Sequence, residues 1–207
     1  MEALAQGIHL FQKGGLVMYI LLACSLFVVY IGVERMMFYR AMDSGQTFAN
    51  RFYTYVKMRK YDDAVTLAKQ SRGGLALILS EAAGGQYGTG AAAFLETQSG
   101  ILIARLRNRL YYLSVIVTMA PLLGLLGTIS GMITSFSIFN IESGQAVAIT
   151  GGVGEALIAT AFGLCVAVLS LAVHAYFTQR LDRIITDMEM CFSALEMRKP
   201  DTQVVEA

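Results

Sequence analysis

The chain has no tryptophan, and only 15% of its 207 residues are charged. Sixteen basic and fifteen acidic side chains leave a net charge of +1. The basic excess that nucleic-acid binding needs is therefore missing, as is an indole to stack on bases, and no nucleic-acid partner is expected. The three cysteines, Cys24, Cys165 and Cys191, are scattered rather than set in CxxC spacing. That excludes a disulfide framework or a cysteine metal site and leaves them as packing residues. No Ser/His/Asp or Cys/His arrangement lies in a context that suggests catalysis, and a lone His174 offers no coordination set. An enzyme, a metal and a cofactor are all unexpected. The sequence also lacks an internal repeat, which argues against an inverted-repeat transporter.

Apolar side chains are what the chain has instead, at 56% of residues. They gather into three runs. Gly14 to Val33 is 20 residues without a charge, closed by Lys13 and Glu34. It has no small-residue cleavage site after it and should span and stay. Leu110 to Ile141 is 32 uncharged residues, about 48 Å if continuously helical, against a hydrocarbon core of about 30 Å. Ser143 to Gln179 is 37 residues interrupted only by Glu155 and His174. A lipid-embedded, all-α protein with three transmembrane helices follows.

Lys and Arg counts set the orientation. One lies before the first run (Lys13), none between the second and third, eleven in residues 34–109 and four from Arg180 onward. The expected organisation is a periplasmic segment (1–13), a first span (14–35), a helical cytoplasmic region (36–109), a second span (110–139), a short periplasmic loop (140–144), a third span (145–178) and a cytoplasmic helix and tail (179–207). Within the cytoplasmic region, Phe48, Phe52, Tyr55 and Val56, then Ala64, Leu67 and Ala68, keep helix spacing with a break near Tyr61. GGQYGTG (84–90) is a loop. After it, Phe94, Ile101, Leu102, Leu106, Leu110 and Leu113 share one side, and the pattern runs without a breaker into the second span. In the tail, Leu181, Ile184, Ile185, Met188, Phe192 and Leu195 keep the period until Pro200. The second and third spans should thus be the upper parts of long helices that continue into the cytoplasm.

The second span contains APLLGLLGTISGMITSF (120–136), whose glycines could suggest a phosphate loop, but no Lys-Ser or Lys-Thr follows them. Ala120, Gly124, Gly127, Gly131 and Thr134 instead make a narrow helix face. The third span does the same with Ala156, Thr160, Gly163, Ala167, Ser170 and His174. Such faces let membrane helices approach closely. They serve packing alone, or they border a narrow hydrated path if several copies surround an axis. Glu155 is the only carboxylate within the apolar runs, and an unrelieved charge there costs a few kcal/mol. If Gly151-Gly152 ends a loop, Glu155 sits in the first turn of a short span, where the helix dipole favours it. If the helix begins near Ser143, Glu155 lies about 18 Å below its start, the placement expected for a functional acid. No lysine, arginine or second acid lies in any span to pair with it. A relay would need hydroxyls such as Thr128 and Thr160, water, or an acid from another chain. His174 is expected near the cytoplasmic interface, solvated or hydrogen-bonded.

FQKGGLVMYILLACSLFVVYIGVER, RLRNRLYYLSVIVTMAPLLGLLGTISGMITSF and GGVGEALIATAFGL together resemble the MotA/TolQ/ExbB proton-channel family, and within it the ExbB branch, with TolQ close. Three spans in 207 residues fit those branches better than MotA, whose members have four spans and a larger cytoplasmic region. The resemblance implies long helices, a homo-pentamer in the bacterial inner membrane, and a pore holding two single-span ExbD- or TolR-like subunits that supply a proton-carrying aspartate. It implies conversion of proton-motive force into work on a TonB- or TolA-like protein. By motif, Thr128 closes LGLLGT, Glu155 is the acid of GEALIAT and Thr160 its closing hydroxyl, and all three would face the pore and the partner. The chain departs from the family at AVLSLAVHAYF, where a proline is common and Val168-Leu169-Ser170 stands, with His174 following. Two other functions stay open at this point: a non-conducting scaffold for single-span partners, and a sodium-driven stator.

Overall fold

The computed structural model describes residues 15–83, 90–139 and 146–196. The expected periplasmic segment, all but the last residue of the GGQYGTG loop, the 140–144 link with Ser143, and the end of the tail at Pro200 lie outside the described residues. The order of elements is α1 (Gly15–Met42), α2 (Gln46–Lys57), α3 (Tyr61–Gln70), α4 (Gly74–Ala83), α5 (Ala91–Arg107), α6 (Leu110–Phe139) and α7 (Ala146–Glu196). Every regular element among the described residues is a helix, and three helical stretches are long and apolar enough to cross a membrane. In lipid the backbone must satisfy its own hydrogen bonds, and single-segment apolar runs of 20 to 37 residues do so as helices. At 51 residues, α7 is more than twice as long as a hydrocarbon core requires.

The chain divides into two compact units. The first holds the apolar start of α1, to Val33, with residues 109–176. Its interior is Val17, Met18, Leu21, Val28 and Ile31 from α1, Leu110, Leu113, Ile116 and Ala120 from α6, and Ala156, Ala159, Val166 and Ala167 from α7. A third or less of each apolar window is buried within the chain (28%, 28% and 33%), so most of the spans' surface is left for lipid or other chains. Leu22, Leu26, Tyr30, Leu122, Leu125, Ile133, Leu157, Leu164 and Val168 are among the large exposed side chains. Pro121 lies inside α6, where it withholds one backbone N–H without ending the helix, as membrane helices tolerate.

The second unit holds residues 34–108 and α7 from Phe177 onward. α3 packs on α2 and α4, and α4 on α5. The expected apolar positions Phe48, Phe52, Val56, Ala64, Ala68, Leu102, Leu106, Leu181, Ile184 and Met188 are buried. The break expected near Tyr61 falls at residues 58–60. There the Lys60 N–H reaches the Tyr55 carbonyl (2.9 Å), the Arg59 N–H reaches Val56 (3.0 Å), and Arg59 takes φ +61°. That is a left-handed helix stop made without glycine. The turn before α2 is tied to the start of α4: the Ser44 hydroxyl accepts the Ala76 N–H at 3.2 Å. Gly73, at φ +114°, lies so close to Ser44 that no Cβ fits there.

One expectation needs correction. α5 does not run unbroken into α6: the hydrogen-bonded helix stops at Arg107 and resumes at Leu110, although Asn108 keeps helical dihedrals (φ −47°, ψ −53°). The sequence holds no breaker there; side chains from α1 meet the last carbonyls of α5.

Candidate functional site: the α6–α7 face

The two small-residue faces meet each other. A Cβ placed on Gly131 would lie 2.9 Å from the Ala156 Cβ, one on Gly127 would lie 2.6 Å from the Ala159 Cβ, and one on Gly124 would lie 3.0 Å from the Thr160 Cα. In return, a Cβ on Gly163 would lie 2.6 Å from the Ala120 carbonyl oxygen and 3.1 Å from the Gly124 Cα. Rising numbers on α6 face falling numbers on α7, so the helices run antiparallel. Any side chain at these glycines would force them apart. Ala156 and Ala167 are both buried.

Two hydroxyls cross the interface. Thr160 Oγ1 donates to the Gly124 carbonyl at 3.0 Å, and the fully buried Ser170 Oγ donates to the Leu113 carbonyl at 3.0 Å. Several hydroxyls of α6 turn back on their own helix, among them Thr128, which donates to Leu125 (2.7 Å), Thr134 to Ser130 (3.0 Å) and Ser135 to Gly131 (2.8 Å). Each bonded hydroxyl keeps lone pairs that can accept a further hydrogen bond. Thr128 and Thr160 are both half-buried, at the margin of the packed face.

Gly151 and Gly152 lie inside α7, so the short-span alternative for Glu155 does not hold. Glu155 is nine residues beyond Ala146, about 14 Å along the axis. It adjoins Ala156 and is therefore level with Gly131. The backbone positions of Glu155, Thr128 and Thr160 fall within about 10 Å of one another along the helix pair. His174 is half-buried. Among the described residues no group of three or more His, Cys, Asp or Glu comes together.

A second polar group lies beyond the charged end of the first apolar run. Arg35 is 5% exposed; its Nε and Nη2 donate to the two Glu34 carboxylate oxygens (2.7 and 2.8 Å), and its guanidinium lies 4.6 Å from the Phe38 ring centre. Tyr39 is fully buried against Phe177, with ring centres 5.2 Å apart. Asp43 accepts Arg180 (3.2 Å) and the Gly45 N–H (2.9 Å). Sequence reasoning used Glu34 and Arg35 only to close a span. A glutamate and an arginine side by side, with Phe38 one turn on, are the signal available in the sequence for this group. Ser170 was placed on the small face, but its bond to Leu113 could not be read without the pairing of the helices.

Three apolar spans, two of them zipped by glycine and alanine with hydroxyl cross-links, define a polytopic helical membrane protein with packed, mildly polar faces. The sequence pattern of the "MotA/TolQ/ExbB proton channel family" matches residues 68–190. The chain belongs to that family. It is 35% identical over 171 residues to "Putative biopolymer transport protein ExbB-like 3" of Synechocystis sp., covering 77% of this chain and 79% of that one. It is 42% identical over 83 residues to "Putative biopolymer transport protein ExbB-like 1" of the same organism, covering 38% of this chain but only 33% of that protein. It is 26% identical over 188 residues to "Putative biopolymer transport protein ExbB homolog" of Methanothermobacter thermautotrophicus, covering 88% and 67%.

Proposed function

We propose that the chain is the channel-forming subunit of a proton-driven stator in the bacterial inner membrane, with no enzymatic activity of its own. Five copies surround an axis, with the N-terminus periplasmic and the C-terminus cytoplasmic. They enclose two ExbD- or TolR-like helices, through which proton-motive force becomes work on a TonB- or TolA-like protein. The observation that supports this reading is the α6–α7 pair, in which the backbone of Glu155 is level with Gly131, in a chain of the proton channel family. One acid per subunit makes no proton wire. The second acid comes from the partner helix, and Thr128 and Thr160, each with free acceptor capacity, border the path.

The bonds of Thr128 and Thr160 to carbonyls of their own subunit favour a second reading, a scaffold that holds partner helices without conducting. Proton flux into vesicles holding the chain and a single-span partner separates the two. Flux that requires the partner and collapses in Glu155→Gln supports the stator. Partner binding without flux, in wild type and mutant alike, supports the scaffold. Repeating the assay without sodium tests whether the coupling ion is the proton.

A further inference from the structure

Each of the three uncharged runs carries tyrosine at one end. Tyr30 lies three residues from the close of the first run, Tyr111 and Tyr112 directly follow Leu110 at the opening of the second, and Tyr176 lies three residues from the close of the third. Contacts within the first unit bring those ends to one level. The Phe27 and Tyr112 rings meet edge to face with centres 6.4 Å apart, a Cβ on Gly32 would lie 3.5 Å from the Val173 Cγ1, and Ser170 donates to the Leu113 carbonyl at 3.0 Å. The Tyr111 and Tyr112 rings are also edge to face, 6.1 Å apart, so Phe27, Tyr112 and Tyr111 form one aromatic run.

All four tyrosines are 47–69% exposed. A phenol set wholly in hydrocarbon gives up the hydrogen bonds of its hydroxyl, and one set wholly in water leaves its ring wet. The boundary between headgroups and acyl chains satisfies both ends of the side chain. Further along α6 and α7 the large exposed side chains change character: Leu122, Leu125, Ile129, Leu157 and Leu164 have no polar atom to satisfy. In the other direction the sequence turns charged at once, at Glu34, Arg109 and Arg180. Tyr19, the other exposed tyrosine among the described residues of this unit, lies eleven residues before Tyr30 and is not part of the group.

We propose that Tyr30, Tyr111, Tyr112 and Tyr176 form a belt that docks the first unit to lipid headgroups, in the leaflet on the side of the Lys- and Arg-rich segments, and so fixes how deep the spans sit. The belt does not depend on the stator reading, but its meaning for a proton path does. With the boundary at Ser170, the Thr160–Gly124 bond is ten residues or about 15 Å along α7, half-way through a core of about 30 Å. The backbone of Glu155 is about 22 Å along, in the half away from the belt.

The chain has no tryptophan, so a single introduced indole reports its own depth. Tyr30→Trp, Tyr111→Trp and Tyr176→Trp each keep an amphipathic ring at an exposed position, leaving the packed faces untouched. The full chain carrying one of them is placed in phosphatidylcholine vesicles, with a nitroxide on the headgroup in one set and bromine near the acyl-chain ends in another. In all three variants the nitroxide should quench the indole more than the bromine does. The order should reverse in Leu122→Trp, eleven residues or about 16 Å beyond Tyr111. An indole at any of the three positions that is quenched mainly by the chain-end bromine overturns the belt, and so does one that neither probe reaches because a second copy of the chain covers it. Depth is read without a proton gradient, so vesicles that conduct nothing count against the stator alone, and wrong depths in conducting vesicles count against the belt alone.

Discussion

Thr160 and Gly124 meet side chain to backbone: the hydroxyl of one donates to the carbonyl of the other at 3.0 Å, across a gap that no Cβ on Gly124 could enter without strain. Glycine provides the approach, and the hydroxyl uses it. Thr160 is therefore a packing residue whatever else it does, and its two roles separate by magnitude. Hydrogen bonds between membrane helices contribute on average about 0.6 kcal/mol, because the unfolded chain in lipid also finds partners.

Thr160→Val keeps the shape and loses the bond, so unfolding in a denaturing detergent titration should show a loss of about 0.6 kcal/mol, and Thr160→Ser should recover it. Proton flux in the same preparations gives the second reading. A flux loss beyond tenfold at so small a stability cost assigns the hydroxyl to the proton path; a flux loss that only follows stability assigns it to packing.

Gly163 and Gly100 are both helical, and an added methyl should act on them in opposite senses. At Gly163 the methyl would lie 2.6 Å from the Ala120 carbonyl oxygen, a backbone atom that cannot step aside. Gly163→Ala should cost about 1–3 kcal/mol by overpacking. At Gly100, on the exposed side of α5, a Cβ meets nothing within 4 Å. Gly100→Ala should stabilise by about 0.5–1 kcal/mol through a less flexible unfolded chain. Paired thermal melts of the two variants check both signs, and a stabilised Gly163→Ala would mean that the α6–α7 contact is looser than described.

Arg59 ends α2 in the left-handed region at φ +61°, a conformation that costs a non-glycine residue about 1–2 kcal/mol. Its side chain is exposed. Arg59→Gly should therefore raise stability by up to about 1 kcal/mol, part of the relief being offset by the freer unfolded chain. A lowered melting temperature would show that the Arg59 side chain makes a contact worth more than the strain.

The spans and their small faces were legible because period and composition carry them. Gly124, Gly127 and Gly131 recur at helical spacing among leucines, as do Ala156, Gly163 and Ala167, and such faces in lipid have few other partners. The stop at residues 58–60 could be placed only roughly, since it is built on an arginine in a conformation that sequence assigns to glycine. The interruption at Asn108 and Arg109 left no local signal. Nor did the bonds of Arg35 and Tyr39 to the Arg105 and Leu106 carbonyls, about 70 residues away in sequence, which depend on the packing of α1 on α5. Two placements of Glu155 were legible, and the continuity of α7 through Gly151 and Gly152 removes the one in the first turn of a short span.

Asp187 gives the second unit a pH dependence opposite to that of most carboxylates. Burial, and then the charge of Asp43, raise its folded pKa above the ordinary 3.8. Asp43, in the turn after α1, is itself held by Arg180. The folded state thus binds this proton more tightly than the unfolded chain does. Stability from the group is complete below about pH 3.8 and declines as pH rises through the raised folded value. Asp187→Asn removes the ionisation, so its advantage over wild type should be absent near pH 3.8 and grow toward neutrality. Denaturation midpoints of the two proteins across that range measure it. A difference that shrinks as pH rises would mean that the ionised carboxylate has a cationic partner strong enough to reverse the effect of burial and of Asp43.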